Sequence, residues 1–191
     1  MKRIWIVISG LMALAGLAGA TELIVNGGFD DPFSVGWQET CYSGAGSFLF
    51  ERSDTLGPPA PGFAARVRKD LGYFACLHQT VDVPDVNLTF SFEGRLRIGG
   101  GSSTCWPVSA VILRYLAGAG AELGNTKFWV HTEFATWLSS DTAHLIEVNT
   151  PEVWTPFTLG IAQELAVKLP GVNPAAVEKI RVELYAYDNG T

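Results

Sequence analysis

Runs of positive charge are missing from this chain. Its 13 Lys and Arg residues are scattered among 19 Asp and Glu, for a net charge of −6. Neutralising phosphates takes a basic face, so the balance argues against nucleic acid as a partner. Charge of either sign is scarce, at 17% of the residues. Cysteine is scarce and odd in number, with only Cys41, Cys76 and Cys105. There is no CxxC and no Cys/His cluster, which argues against a structural zinc site. GxSxG, HExxH and GxGxxG are absent, and with them the usual marks of serine hydrolases, zinc proteases and dinucleotide binders. Beyond residue 17 no apolar run approaches the length that spans a bilayer. No internal repeat or linker divides the chain.

What is present begins with an export pattern. Lys2 and Arg3 form a basic start, Ile4 to Leu17 an apolar run short for a membrane span, and Ala18-Gly19-Ala20 a small-residue cleavage site. Residues 1–20 therefore read as a secretory signal peptide, cut before Thr21, with a retained N-terminal anchor as the alternative. Removal of Lys2 and Arg3 leaves 11 basic residues against 19 acidic ones, a net charge of −8. The mature chain, 21–191, is expected outside the cytoplasm, secreted or periplasmic. Its length suits one domain with a substantial core. Export permits a disulfide, and the odd count leaves at least one thiol over. The pair stays open among Cys41, Cys76 and Cys105.

The stretch Glu22–Trp37, ELIVNGGFDDPFSVGW, organises the rest. Leu23 and Val25 alternate with Glu22, Ile24 and Asn26, which predicts a short strand. Gly27 and Gly28 stop it, because glycine accepts positive φ without a Cβ penalty. Asp30 and Asp31 then set two carboxylates beside carbonyls freed by the turn, an oxygen-rich setting of the kind calcium takes. The alternative is that the two carboxylates cap the turn.

Asn26, Gly27, Gly28, Phe29, Asp30, Gly36 and Trp37 carry a resemblance. The run is similar to the opening of galactose-binding-like jelly-roll domains, above all carbohydrate-binding modules of the CBM4/9/22 type. Leu77, Gln79 and Val81 resemble that family's Leu-x-Gln-x-Val phrase, and Trp154 to Ile161 its late Trp-x-x-Phe-x-Leu strand. The resemblance implies a jelly-roll sandwich that binds a polysaccharide or other glycan. It implies a structural calcium ion held by the Gly28 carbonyl, Asp30 and a late acid, for which Asp188 is the candidate. It also implies buried positions for Trp37 and Trp154. In the family a further strand follows an Asp-x-Gly-Thr turn. Here the sequence ends at Asp188-Asn189-Gly190-Thr191, so either it is truncated or that strand is absent.

Alternation and turn residues predict eight to eleven short strands with almost no helix. The expected fold class is all-β, a two-sheet antiparallel β-sandwich (jelly roll) of galactose-binding-like type. Leu88 to Ile98 is the clearest strand, with Leu88, Phe90 and Phe92 on one face. At Arg95 and Arg97 the strand either leaves the core or is shifted by a bulge at Gly94. Val108 to Leu116 is apolar on both faces, so it is expected in mid-sheet and covered on both sides. Lys127 to Glu133 sets Trp129, His131 and Glu133 on one side. Ile180 to Tyr187 alternates cleanly, with Arg181, Glu183, Tyr185 and Tyr187 outward. Asn173-Pro174 predicts one helical turn.

Sugar rings stack their C–H faces on aromatic rings, and their hydroxyls bond to placed polar groups. The candidate ligand residues are Trp129, Trp106, Arg95, Arg97 and Glu133. That set supposes that the Leu88–Ile98 and Lys127–Glu133 strands share a concave sheet. For any single Trp, core packing is the competing use. His131, Glu133, Asp141 and His144 form the one His/acid neighbourhood, for which a solvated polar sheet face is the commoner explanation. No catalytic residue is assigned. The leading expectation is a secreted, non-catalytic glycan-binding domain. Behind it stand a structural or adhesive sandwich without a sugar site, and a small secreted hydrolase using paired carboxylates such as Glu93 and Glu133.

Overall fold

The computed structural model describes residues 4–16 as backbone, together with 22–42, 46–57, 62–102 and 104–190. The expected cleavage site at 18–21, residues 43–45 and the proline-containing stretch 58–61 lie outside them. Strands follow the alternation of the sequence. They are β1 (Ile4–Gly16), β2 (Gln38–Cys41), β3 (Ser47–Ser53), β4 (Ala64–Asp70), β5 (Tyr73–Asp82) and β6 (Leu88–Arg97). Then come β7 (Pro107–Leu116), β8 (Glu122–His131), β9 (Ala143–Glu147), β10 (Thr155–Gly160) and β11 (Lys179–Asp188).

They form two sheets. Sheet A runs β10-β6-β1-β4-β3 and sheet B runs β2-β5-β11-β7-β8-β9. The chain is all-β with a sandwich-like pair of sheets. Every pairing is antiparallel except β8–β9, which is parallel. The inward residues of β11 (Ile180, Val182, Leu184, Ala186) share one core with Phe90, Phe92 and Leu96 of β6 and with Ala65 and Val67 of β4. Ile4–Gly16, the apolar centre of the expected leader, runs as a strand between β4 and β6.

β6 corrects one expectation. Its pairing with β1 passes Gly94 without a shift, and the one irregularity in that ladder lies further along, between Ser9 and Ala13. Gly94 simply takes the fourth inward position, where a Cβ would stand 2.9 Å from the Phe92 ring. Leu96 resumes the core, and Arg95 and Arg97 belong to the outward face. β7 is covered on both sides, as its apolar residues require. Val111, Leu113 and Tyr115 enter the main core, while Val108, Ala110 and Ile112 join Trp129 in a second cluster on the far face of sheet B.

The N-terminal corner is not a strand. Ile24 is the buried residue, and Val25 is exposed. Gln79 supplies the pairing instead. Its Oε1 accepts from the Val25 amide at 2.7 Å, and its Nε2 donates to the Val25 carbonyl at 2.8 Å. The left-handed residues are Asn26 (φ 54°) and Phe29 (φ 57°), not Gly27 and Gly28. Asn tolerates that region because its side chain bonds locally. Here Asn26 Nδ2 donates to the Asp31 carbonyl at 2.9 Å, and Oδ1 accepts from the Asp31 amide at 3.0 Å. Trp37 Nε1 donates to the Asn26 carbonyl at 3.1 Å, and Phe29 is wholly buried against Trp37.

One helix, α1 (Ile161–Lys168), was not expected. It leaves β10 directly at Gly160, without a side-chain cap. Its Ile161 and Leu165 lie four apart, with Leu169 a further four on, and all three are buried. Pro174–Ala176 forms the expected short turn, capped by Asn173 Oδ1.

Candidate functional site

The outward face of sheet B carries a continuous array of aromatic and polar groups. Side chains alternate across a strand, so one parity of each strand meets there. From β5 come Phe74, Cys76, His78 and Thr80, and from β11 Tyr187, Tyr185, Glu183 and Arg181. Register sets Tyr185 opposite Cys76 and Glu183 opposite His78.

The aromatic rings form a continuous row. Phe74 stacks on Tyr185 with centroids 5.7 Å apart, and Tyr185 lies parallel to Tyr187 at 6.3 Å. Trp106 tilts against Tyr187 at 5.1 Å. Its backbone is pinned where its amide donates to Asn189 Oδ1 at 2.6 Å. The chain between β8 and β9 crosses this face as an arm and lays Trp137 over Trp129, ring on ring at 5.6 Å. Trp137, Trp106, Tyr185 and Tyr187 stay half-buried, and Trp129 beneath them is only 5% exposed.

A polar row borders the rings. Arg114 on β7 donates to Glu183 at 2.8 Å and to Glu122 at 2.7 Å. Asn125 Nδ2 donates to Glu122 at 2.7 Å, and Lys127 Nζ donates to Asn125 Oδ1 at 2.6 Å. Arg181 Nε donates to Thr80 Oγ1 at 3.0 Å. Rings and charges meet at an open cleft of about 360 Å³ lined by Thr40, Phe74, His78, Arg114, Glu183 and Tyr185, among others. Two buried polar atoms in it have no protein partner, Glu183 Oε2 and His78 Nδ1. A buried acceptor left without a donor costs free energy until a ligand or water supplies one.

Ionisation follows from this setting. Burial works against charge on Arg114, and its bonds to Glu183 and Glu122 outweigh that, holding its pKa above the ordinary value. Burial, then Arg181, push His78 below the usual imidazole value. Burial pushes the Cys76 thiol up, with Glu183 adding to it. That thiol stays protonated at neutral pH and is a poor nucleophile. Burial, then Arg114, lower Lys127.

Of the expected ligand residues, Trp129 and Trp106 share this face. Arg95 and Arg97 do not. Their strand lies in sheet A, where Arg95 sits 5.5 Å over the Trp154 ring and Arg97 pairs with Glu152 at 3.2 Å. The supposed shared sheet is corrected accordingly. Trp154 is half-buried rather than core. Glu133 is exposed in the turn after β8, far in the topology from Glu93 on β6, so those two carboxylates make no pair. His131 stacks on Trp129 at 3.7 Å on the outward face, whereas His144 faces inward to Glu164 at 2.6 Å. The His/acid neighbourhood is thus split between two faces.

The calcium set is not assembled either. Gln79, which holds the corner, stands opposite Val182, and Asp188 lies six residues further along β11, about 20 Å away. Arg52 donates to the Phe29 and Asp30 carbonyls, so a guanidinium holds the oxygens freed by the turn. Asp188 is wholly buried and accepts from Cys105 Sγ at 3.0 Å and from the Gly190 amide at 2.8 Å. Gly28 lies in the corner turn with Asp30 exposed beside it.

The cysteines are thiols. Thr40 pairs with Cys76 and Cys41 with Ala75, so Cys41 faces the core and Cys76 the outer face, and the sheet lies between them. Sequence reasoning passed over Tyr185, Tyr187, Arg114 and Glu183 as ligand residues. The signal was present in the Arg181–Tyr187 alternation, which sets two tyrosines and two charges outward. No family model, no curated protein and no solved structure matches this chain.

Proposed function

We propose that this chain is a secreted, non-catalytic carbohydrate-binding domain of the galactose-binding-like jelly-roll type, and that its ligand is a neutral glycan lying across the outward face of sheet B. The observation that carries the reading is the row Phe74, Tyr185, Tyr187 and Trp106 beside a cleft whose Glu183 Oε2 lacks a donor. Half-buried rings offer a face to sugar C–H groups, and a waiting carboxylate oxygen accepts from a sugar hydroxyl. The cleft's charges balance, with Arg114 and Arg181 against Glu122 and Glu183. An acidic sugar would find no uncommitted arginine there, which favours a neutral one.

Affinity gel electrophoresis on a panel of soluble neutral polysaccharides tests this. Retardation is expected on at least one of them. Tyr185→Ala should weaken it by about 2 kcal/mol, roughly thirty-fold in Kd, as for a central aromatic anchor. A folded protein that migrates unretarded on every polysaccharide would remove the sugar reading.

A further inference from the structure

We propose that the gap between β4 and β6 is a strand-binding site whose ligand is an extended apolar segment, and that residues 4–16 are its occupant in the uncut chain. The segment pairs antiparallel with both neighbours. It runs from Ile4 opposite Lys69 to Ser9 opposite Ala64 on β4, and from Trp5 opposite Arg97 to Gly16 opposite Leu88 on β6. β4 and β6 therefore run parallel to each other, two strand spacings or about 9.5 Å apart.

An empty gap is costly on two counts. Both ladders lose their partners, leaving rows of unpaired amides and carbonyls at mid-sheet. Beneath them lie β11 and β7, whose Val182, Leu184, Val111 and Leu113 are wholly buried and would face water. Closing the gap by pairing β4 directly with β6 would slide one half of sheet A about 5 Å across sheet B. Either Phe90, Phe92 and Leu96 or Ala65 and Val67 would then lose their seats in a close-packed core.

The chemistry of the occupant follows from the place. Residues 4–16, IWIVISGLMALAG, carry no charge and begin with β-branched residues suited to a strand. The sequence marks the same residues as the apolar centre of an export leader. Cleavage after Ala20 would thus free the very strand that fills sheet A, turning the body into an acceptor for another apolar strand. This is β-strand addition, in which main-chain bonds supply affinity.

The test uses the whole chain, made without export and carrying an inserted protease site between Ala20 and Thr21. After cutting, fragment 1–20 should co-elute with the body on gel filtration, and β4 and β6 amides should stay protected from hydrogen exchange. A labelled peptide of residues 4–16 with a solubilising lysine tail should exchange into the gap, and one carrying Ile6→Lys and Ile8→Lys should not. Release of the fragment with unchanged melting temperature and protection would overturn the proposal. In the uncut chain Val7, which is in register with Arg66 of β4 and Arg95 of β6, gives the second variant. Val7→Pro removes a ladder donor and should lower the melting temperature, and no change would equally overturn it.

Discussion

Gln79 stands in for a neighbouring strand. Its primary amide has the donor and acceptor of a peptide group, and both are spent on Val25. Gln79→Ala leaves that backbone pair unmet and should cost about 1–3 kcal/mol in urea denaturation. Gln79→Glu should recover only part, because a carboxylate accepts from the Val25 amide but cannot donate to its carbonyl. The phrase Leu77-x-Gln79-x-Val81 was legible in the sequence. What Gln79 holds was not, because its partner lies 54 residues away. His78 gives a second residue-scale outcome. Its folded pKa lies below the ordinary 6.5, through burial first and Arg181 second. The unfolded chain therefore binds that proton at higher pH than the native one, and stability falls as pH drops below about 6.5. Comparing melting temperatures at pH 7 and pH 5 checks this, with His78→Gln expected to lose less on acidification. Equal losses in both proteins would refute it.

Single elements were legible wherever a strand keeps one face dry. β6, β7 and β11 could be read from alternation or from its absence. Glu22–Asn26 also alternates, yet the Gln79 side chain pairs with it in place of a strand, so pattern alone misread it. α1 was missed because β10 runs into it without a capping residue, although Ile161, Leu165 and Leu169 hold helical spacing. The arm between β8 and β9 shows how an element decides whether a tryptophan is surface or core. Trp129 sits on an outward strand face, where parity alone suggests exposure, but Trp137 lies flat over it and His131 stacks beside it. Trp129→Ala should therefore behave as a core truncation, costing about 3 kcal/mol or more, and would confuse any binding assay. Trp137→Ala removes only the lid and should cost less. A Trp129→Ala protein as stable as the parent would show that the arm does not seal this cluster.

Which strands share a sheet is a property of the whole molecule, set by pairings between distant segments, and no local pattern carries it. β6 and β8 look alike as amphipathic strands, and the topology sends them to opposite sheets. That separation splits the residues first nominated for a ligand and gives a control that the sequence could not supply. Arg95 and Arg97 lie outward on sheet A, engaged with Trp154 and Glu152, while Tyr185 and Tyr187 lie outward on sheet B. A ligand held across sheet B cannot reach both faces of a sandwich whose sheets pack about 10 Å apart. The double variant Arg95→Ala/Arg97→Ala should keep glycan retardation within two-fold of the parent, whereas Tyr185→Ala/Tyr187→Ala should abolish it in a protein still folded at the assay temperature. Because the cleft's charges are balanced and the proposed ligand is neutral, raising the salt to molar levels should leave the parent's retardation nearly unchanged, since screening acts on uncompensated charge. Loss of binding in the arginine double variant, with the tyrosine variant unaffected, would move the site to sheet A and undo the assignment of the ligand to sheet B.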